Sequence, residues 1–113
     1  MDIRVRYVIK LFNEGLSDKF SEETVSKHVN LSPARLRQLF KKDTGLSPIR
    51  YLKRLRMNSA AKLLQSSFLS IKEIASQAGF GDSSHFVRDF RTHYGLTPTE
   101  FRTRSQRFKK HAT

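Results

Sequence analysis

The segment SPARLRQLFKKDTGLSPIRYLKR at 32–54 returns fifty residues later as DSSHFVRDFRTHYGLTPTEFRTR at 82–104. Phe40, Gly45, Leu46, Pro48 and Arg54 reappear as Phe90, Gly95, Leu96, Pro98 and Arg104, and Tyr51 reappears as Phe101. Such self-similarity marks one small module used twice. In 113 residues neither copy has room for a core of conventional size, so the expectation is one compact domain or two very small lobes sharing a connector.

Each copy reads as helical. Strand signals are nearly absent: there is no useful alternating run and no Asn-Gly or Asp-Gly hairpin turn. Helix starts are frequent. A first helix over about residues 2–14 carries the apolar stripe Ile3, Tyr7 and Leu11 with Val8 and Phe12, and Gly15 ends it. Ser21 can cap a second helix bearing Val25 and Val29, and Ser32 with Pro33 a third, with Leu36, Leu39 and Phe40 inward and Gly45 beyond. Ser47 and Pro48 open a longer helix running through Tyr51, Leu52, Leu55, Ala60, Leu63 and Leu64 to about Ser66. Ser70 with Glu73 forms a capping box before Ile74 and Ala78; Asp82 caps a helix with Phe86 and Phe90 inward; Thr97, Pro98 and Glu100 form a further capping box. The prediction is an all-α fold of seven helices, with a first lobe at 1–47, a linker helix at 48–66, a second lobe at 67–104 and a basic, disordered tail at 105–113.

Within each lobe two short helices are separated by a tight turn. In the second copy Ala75 and Gly79 stand four residues apart: the small residue admits the next helix closely, and the glycine suits a left-handed turn. Ser26 and Asn30 hold those places in the first copy, and Asn tolerates that backbone better than most residues. The second turn is one residue longer. Both lobes therefore read as helix-turn-helix units.

The helix after each turn presents matching faces. With Leu36, Leu39 and Phe40 inward, Ala34, Arg37, Gln38 and Lys41 lie opposite; with Phe86 and Phe90 inward, Ser84, Val87, Arg88 and Arg91 lie opposite. Ala34, Gln38 and Lys41 correspond to Ser84, Arg88 and Arg91 at the fifty-residue offset. The net charge of +12 is concentrated in the same region: residues 1–31 hold five basic and five acidic groups, residues 32–113 seventeen and five. That asymmetry points to a polyanion facing the repeats.

A helix of this width enters the major groove of duplex DNA, where Arg grips guanine, Gln pairs with adenine and small residues approach a thymine methyl. Lys41 and Arg91, one turn further on, suit phosphates. The helix starts at Ser47-Pro48 and Thr97-Pro98 offer free N–H groups to a phosphate, with Arg50, Lys53 and Arg102 nearby. The linker helix, about 27 Å long at 1.5 Å per residue, approaches the roughly 34 Å between major-groove faces on one side of the duplex.

Other chemistries fit less well. Asp82, Ser83, Ser84 and His85 contain the residue types of a hydrolase triad, but neighbours on a helix diverge and no nucleophile elbow or Gly-rich oxyanion segment surrounds them. His85, Asp89 and His93 have metal-compatible spacing along the edge of the buried side, where a boundary role is expected instead. No catalysis, metal or cofactor is expected. The absence of cysteine fits a reducing cytoplasm, and no apolar run approaches the ~20 residues that cross a bilayer. A basic protein that compacts DNA, binds RNA or rests on acidic membranes is the competing class, and the tail with Arg102, Arg104, Arg107, Lys109 and Lys110 suits it. Single-strand binders display exposed aromatics, however, and most Phe residues here fall on buried stripes.

VSKHVNLSPARLRQLFKKDTGLSPIRYLKRLRMNSAAKLL and, more specifically, IKEIASQAGFGDSSHFVRDFRTHYGLTPTEFR strongly resemble the DNA-binding domain of the AraC/XylS family of bacterial transcription regulators, over about residues 3–104. The resemblance implies a monomer placing two helix-turn-helix lobes in adjacent major grooves, commonly as an activator beside RNA polymerase. It places base reading on Ala34, Arg37 and Gln38 in the first lobe and on Ser83, Ser84, His85 and Arg88 in the second. Phosphate contacts are expected from Ser32, Lys41, Arg50, Lys53, Arg91, Pro98 and Arg102. Ala34 is minimal, so Arg37 and Gln38 should carry the first lobe; Ser83 and Ser84 are short, so the second should lean on Arg88 and otherwise clamp phosphates. Family members often carry an effector-binding or dimerisation domain, leaving open whether this chain acts alone or as part of a larger regulator.

Overall fold

Helix first turns leave N–H groups unpaired, and this chain supplies an oxygen acceptor for them at most of its helix starts. The computed structural model describes residues 1–16 and 19–112, with side chains described through Gln106. Among these residues it contains helices α1 (Ile3–Glu14), α2 (Glu22–His28), α3 (Pro33–Thr44), α4 (Pro48–Ser66), α5 (Ile71–Gln77), α6 (Ser83–Tyr94) and α7 (Pro98–Ala112), and no strand. Asp2, Ser21, Ser32, Ser70 and Asp82 are N-caps whose side chains accept first-turn N–H groups. The capping box of Ser70 with Glu73 is complete. Its counterpart joins Thr97 and Glu100 through two hydrogen bonds of 3.2 Å.

The chain divides into two units, Met1–Leu55 and Arg56–Thr113. The first core holds Val5, Val8 and Phe12 of α1, Leu36, Leu39 and Phe40 of α3, and Leu52 of α4. The second holds Met57, Ala60 and Leu64 of α4, Ile74 and Ala75 of α5, and Phe86 and Phe90 of α6. The helix expected as a linker is thus also a core element, with Leu52 in one core and Met57 in the other. The same aromatic joint recurs in both units. The rings of Phe40 and Tyr51 meet edge to face at 5.3 Å and 83°, those of Phe90 and Phe101 at 5.3 Å and 81°.

Two expectations change. The buried face of α1 is Val5, Val8 and Phe12, whereas Ile3 is 79% and Tyr7 45% exposed. Both stripes satisfy helical spacing, and the face that meets α3 decides which is buried. Secondly, the tail expected to be disordered continues α7 as helix through Ala112. No Gly or Pro interrupts the helix after Pro98. The basic side chains proposed there at Arg107, Lys109 and Lys110, and residue 113 itself, lie outside the described residues.

The turns of the two units are closely alike. Asn30 and Gly79 both have left-handed backbone, at φ 56° and 96°. The N–H of Leu31 donates to the Ser26 carbonyl at 2.9 Å, and that of Phe80 to the Ala75 carbonyl at 2.8 Å, closing equivalent loops. Ser26 and Ala75 are both buried. Buried Ser26 keeps its hydroxyl satisfied by donating to the Glu23 carbonyl at 2.8 Å. A branched side chain does not tolerate this backbone. Gly79→Val should therefore lower stability by about 1–2 kcal/mol, while Asn30→Gly stays within about 0.5 kcal/mol; urea unfolding followed by circular dichroism measures both.

Candidate nucleic-acid interface

In the first unit, α3 turns Leu36, Leu39 and Phe40 inward and leaves Ala34, Arg37, Gln38 and Lys41 exposed on the opposite side. Two of the expected readers have partners. Arg37 donates through Nη1 to Glu22 Oε1 at the start of α2. Gln38 accepts from Arg35 Nη1 at 3.4 Å. The Ser32 hydroxyl, expected near a phosphate, accepts the Arg35 N–H at 3.1 Å as the cap of α3.

In the second unit, Ser84, His85, Arg88 and Arg91 are exposed, and Ser83 is half-buried. Val87, expected on the outer face, instead packs partly against the core beside Phe86. An apolar side chain at the edge of the stripe gains more from that contact than from water. Asp82 Oδ1 accepts the N–H of Ser84 at 2.7 Å and of His85 at 3.4 Å. Its carboxyl is held below the usual range, chiefly by the Ser84 N–H and next by that of His85. The Asp82-Ser83-Ser84-His85 run is thus a cap and its first turn. Among the described residues, no group of three or more His, Asp or Glu side chains is placed to hold a metal.

The helix that follows each outward-facing helix differs between the units. At the start of α4 no acidic residue occupies the first turn, and Arg50 and Lys53 are exposed. The Arg50 N–H donates to the Ser47 hydroxyl at 3.4 Å. At the start of α7 the Glu100 carboxylate itself takes the Thr97 N–H. It is kept ionised below the usual range, first by its hydrogen bonds with Thr97 and also by the charges of Arg91 and Arg104. The capping box thus brings a carboxylate to the start of α7, where the start of α4 has none.

Two further expected phosphate contacts of this unit are engaged inside it. Pro98 is buried and has no N–H to offer. Arg102 is half-buried and donates through Nε to the Leu64 carbonyl at 3.2 Å and through Nη2 to the Ser67 carbonyl at 3.4 Å. It satisfies acceptors that the end of α4 leaves open. Arg88 and Arg91 remain as the exposed arginines of α6, so less of the second unit's charge faces outward than its sequence suggests.

Glu22 stands out only in the folded chain, through its pairing with Arg37. Its signal lay in the first turn of α2, where its side chain is only 25% exposed beside an arginine of the outward face.

These features agree with known proteins. A family model described as a helix-turn-helix domain matches residues 25–104, which span both turns and both outward-facing helices. The chain is 38% identical over 101 residues to the HTH-type transcriptional activator RhaS of Enterobacter sp. (strain 638), covering 89% of this chain and 36% of that protein. It is 43% identical over 91 residues to RhaS of Salmonella arizonae, covering 77% of this chain and 33% of that protein. The chain thus spans about a third of the length of these relatives. Among solved structures, the DNA-binding domain of AdpA in complex with a target DNA superposes with a TM-score of 0.90 at 25% identity, over 95% of this chain and 96% of that one. An AraC-type DNA-binding regulator from Chromobacterium violaceum gives a TM-score of 0.83 at 30% identity, over 90% and 91%. Duplicated turns, paired outward faces and a match through both units converge, and the chain belongs to the AraC/XylS family of helix-turn-helix DNA-binding domains.

Proposed function

We propose that this chain binds duplex DNA sequence-specifically and regulates transcription, with α3 and α6 each entering a major groove and the two grooves consecutive along one duplex. The observation that carries the reading is the matched pair of exposed faces, Ala34, Arg37, Gln38 and Lys41 on one helix and Ser84, Arg88 and Arg91 on the other, each behind the same left-handed turn. Arg37, Gln38 and Arg88 are the principal base readers, with Ala34, Ser83, Ser84 and His85 beside them. Lys41, Arg50, Lys53 and Arg91 are the phosphate contacts, and α4 is the spacer between the two reading helices. A net charge of +12 supplies the sequence-independent attraction.

Activation is the favoured mode, because the RhaS relatives carry the name of activators, and RNA polymerase is the partner expected for it. An effector-binding or dimerisation domain is the expected companion of the chain in a longer regulator. The site of action is the cytoplasm, where the DNA is; no helix among the described residues is long and apolar enough to cross a membrane.

Selection from a random duplex library, followed by affinity measurement at ~0.2 M salt, tests the reading. A regulator prefers its selected duplex to random duplex by ~10³ or more, and a compacting protein gives a ratio near one. A footprint confined to a single groove would remove the two-groove part of the proposal.

A further inference from the structure

The paired residues Glu22 and Arg37 occupy positions that the second unit fills differently. The short helix before each turn aligns at an offset of 49, as Asn30 with Gly79 and Leu31 with Phe80 show, and the helix after it at 50, as Phe40 with Phe90 shows. Glu22, the first residue of α2, therefore corresponds to Ile71, the first residue of α5, and Arg37 corresponds to Val87. Ile71 and Val87 are both partly buried against the second core. One unit thus has an ion pair at these positions and the other two apolar side chains packed on its core, on the same scaffold. The scaffold does not require charge there, and a half-exposed ion pair adds little to stability.

What the pair changes is the behaviour of an arginine on the outward face. An unrestrained guanidinium beside a duplex meets phosphate oxygens as readily as guanine O6 and N7. Glu22 commits one edge of the Arg37 fork, restricts its rotamers and offsets its charge next to a polyanion. Each effect weakens phosphate contact more than a directed contact to a base edge. We propose that Glu22 is a specificity-determining residue that acts through Arg37, holding it for base reading against phosphate capture. The inference rests on the DNA-binding reading above and names a positioning residue within that same site.

The test uses the whole chain with Glu22→Gln and with the double variant Glu22→Ile/Arg37→Val, which installs the pair of the second unit. Binding is measured on the selected duplex, on its single-base-pair substitutions and on random duplex, each over a range of salt. Glu22→Gln is expected to bind random duplex several-fold more tightly, to steepen the salt slope by about one unit, and to lose roughly fivefold or more of its discrimination at one base-pair position, with its melting temperature held. The double variant should melt like the parent and lose the preference at that same position. An unaltered base profile in either variant overturns the proposal, as does a uniform loss on every duplex accompanied by a lower melting temperature, which marks a structural role. If the parent protein itself selects no duplex, the DNA-binding reading fails, and this inference with it; a selective parent with an unaltered Glu22→Gln profile sinks the inference alone.

Discussion

Phe90→Ala should remove about 3–5 kcal/mol of stability, the usual loss on truncating a large buried aromatic. Phe90 is fully buried, and its ring meets Phe86 at 5.6 Å, Tyr94 at 4.6 Å and Phe101 at 5.3 Å. It therefore joins α6 to α7 at the centre of the second core. Small domains are stable by only ~5–15 kcal/mol in total, so such a loss takes much of the margin of a unit this size. Denaturant unfolding followed by circular dichroism gives the magnitude. Amide exchange gives the location: protection should collapse in α5 and α6, while α3 keeps that of its own core of Val5, Val8, Leu36, Phe40 and Leu52. A loss below about 1 kcal/mol would mean that the ring cluster closes over the gap, and that Phe90 is not the centre of this core.

The secondary structure was legible in the sequence because its signals are local. Ser21, Ser32, Ser70 and Asp82 act within a few residues of their own position, and each caps the helix expected of it. Asn30 and Gly79 were recognisable as counterparts because few residues accept left-handed backbone, and both adopt it. What was not legible depends on neighbours distant in the chain. The α1 stripe could be drawn through Ile3 and Tyr7 or through Val5 and Val8, and only the packing of α1 against α3 selects the second. Arg102 carries the same charge whether it grips a phosphate or the carbonyls of Leu64 and Ser67, which lie 38 and 35 residues away. The partnership of Glu22 and Arg37 likewise crosses the turn. Charge counted along a chain overstates the charge available to a ligand, since part of it serves the fold.

That distinction sets the outcome for Arg88 and Arg102 of the second unit. Arg88→Ala removes an exposed guanidinium from the outer face of α6. If it reads guanine as proposed, its loss should cost about 1–3 kcal/mol, a five- to 150-fold fall in affinity on the selected duplex, with preference relaxed at one base pair. Lys41→Ala, at the end of the outward face of α3, should weaken all duplexes alike and lower the salt slope by about one unit. Arg102→Ala is the control that the structure supplies. Its guanidinium caps α4, so truncation should lower thermal stability while leaving the salt slope and the base profile of the folded protein unchanged. Affinity profiles on a panel of substituted duplexes separate the three. A uniform loss for Arg88→Ala would remove it from the readers and move recognition by this unit to the small side chains of Ser83 and Ser84 and to His85. A lower salt slope for Arg102→Ala would return that residue to the phosphate contacts, and require the α4 cap to open when DNA binds.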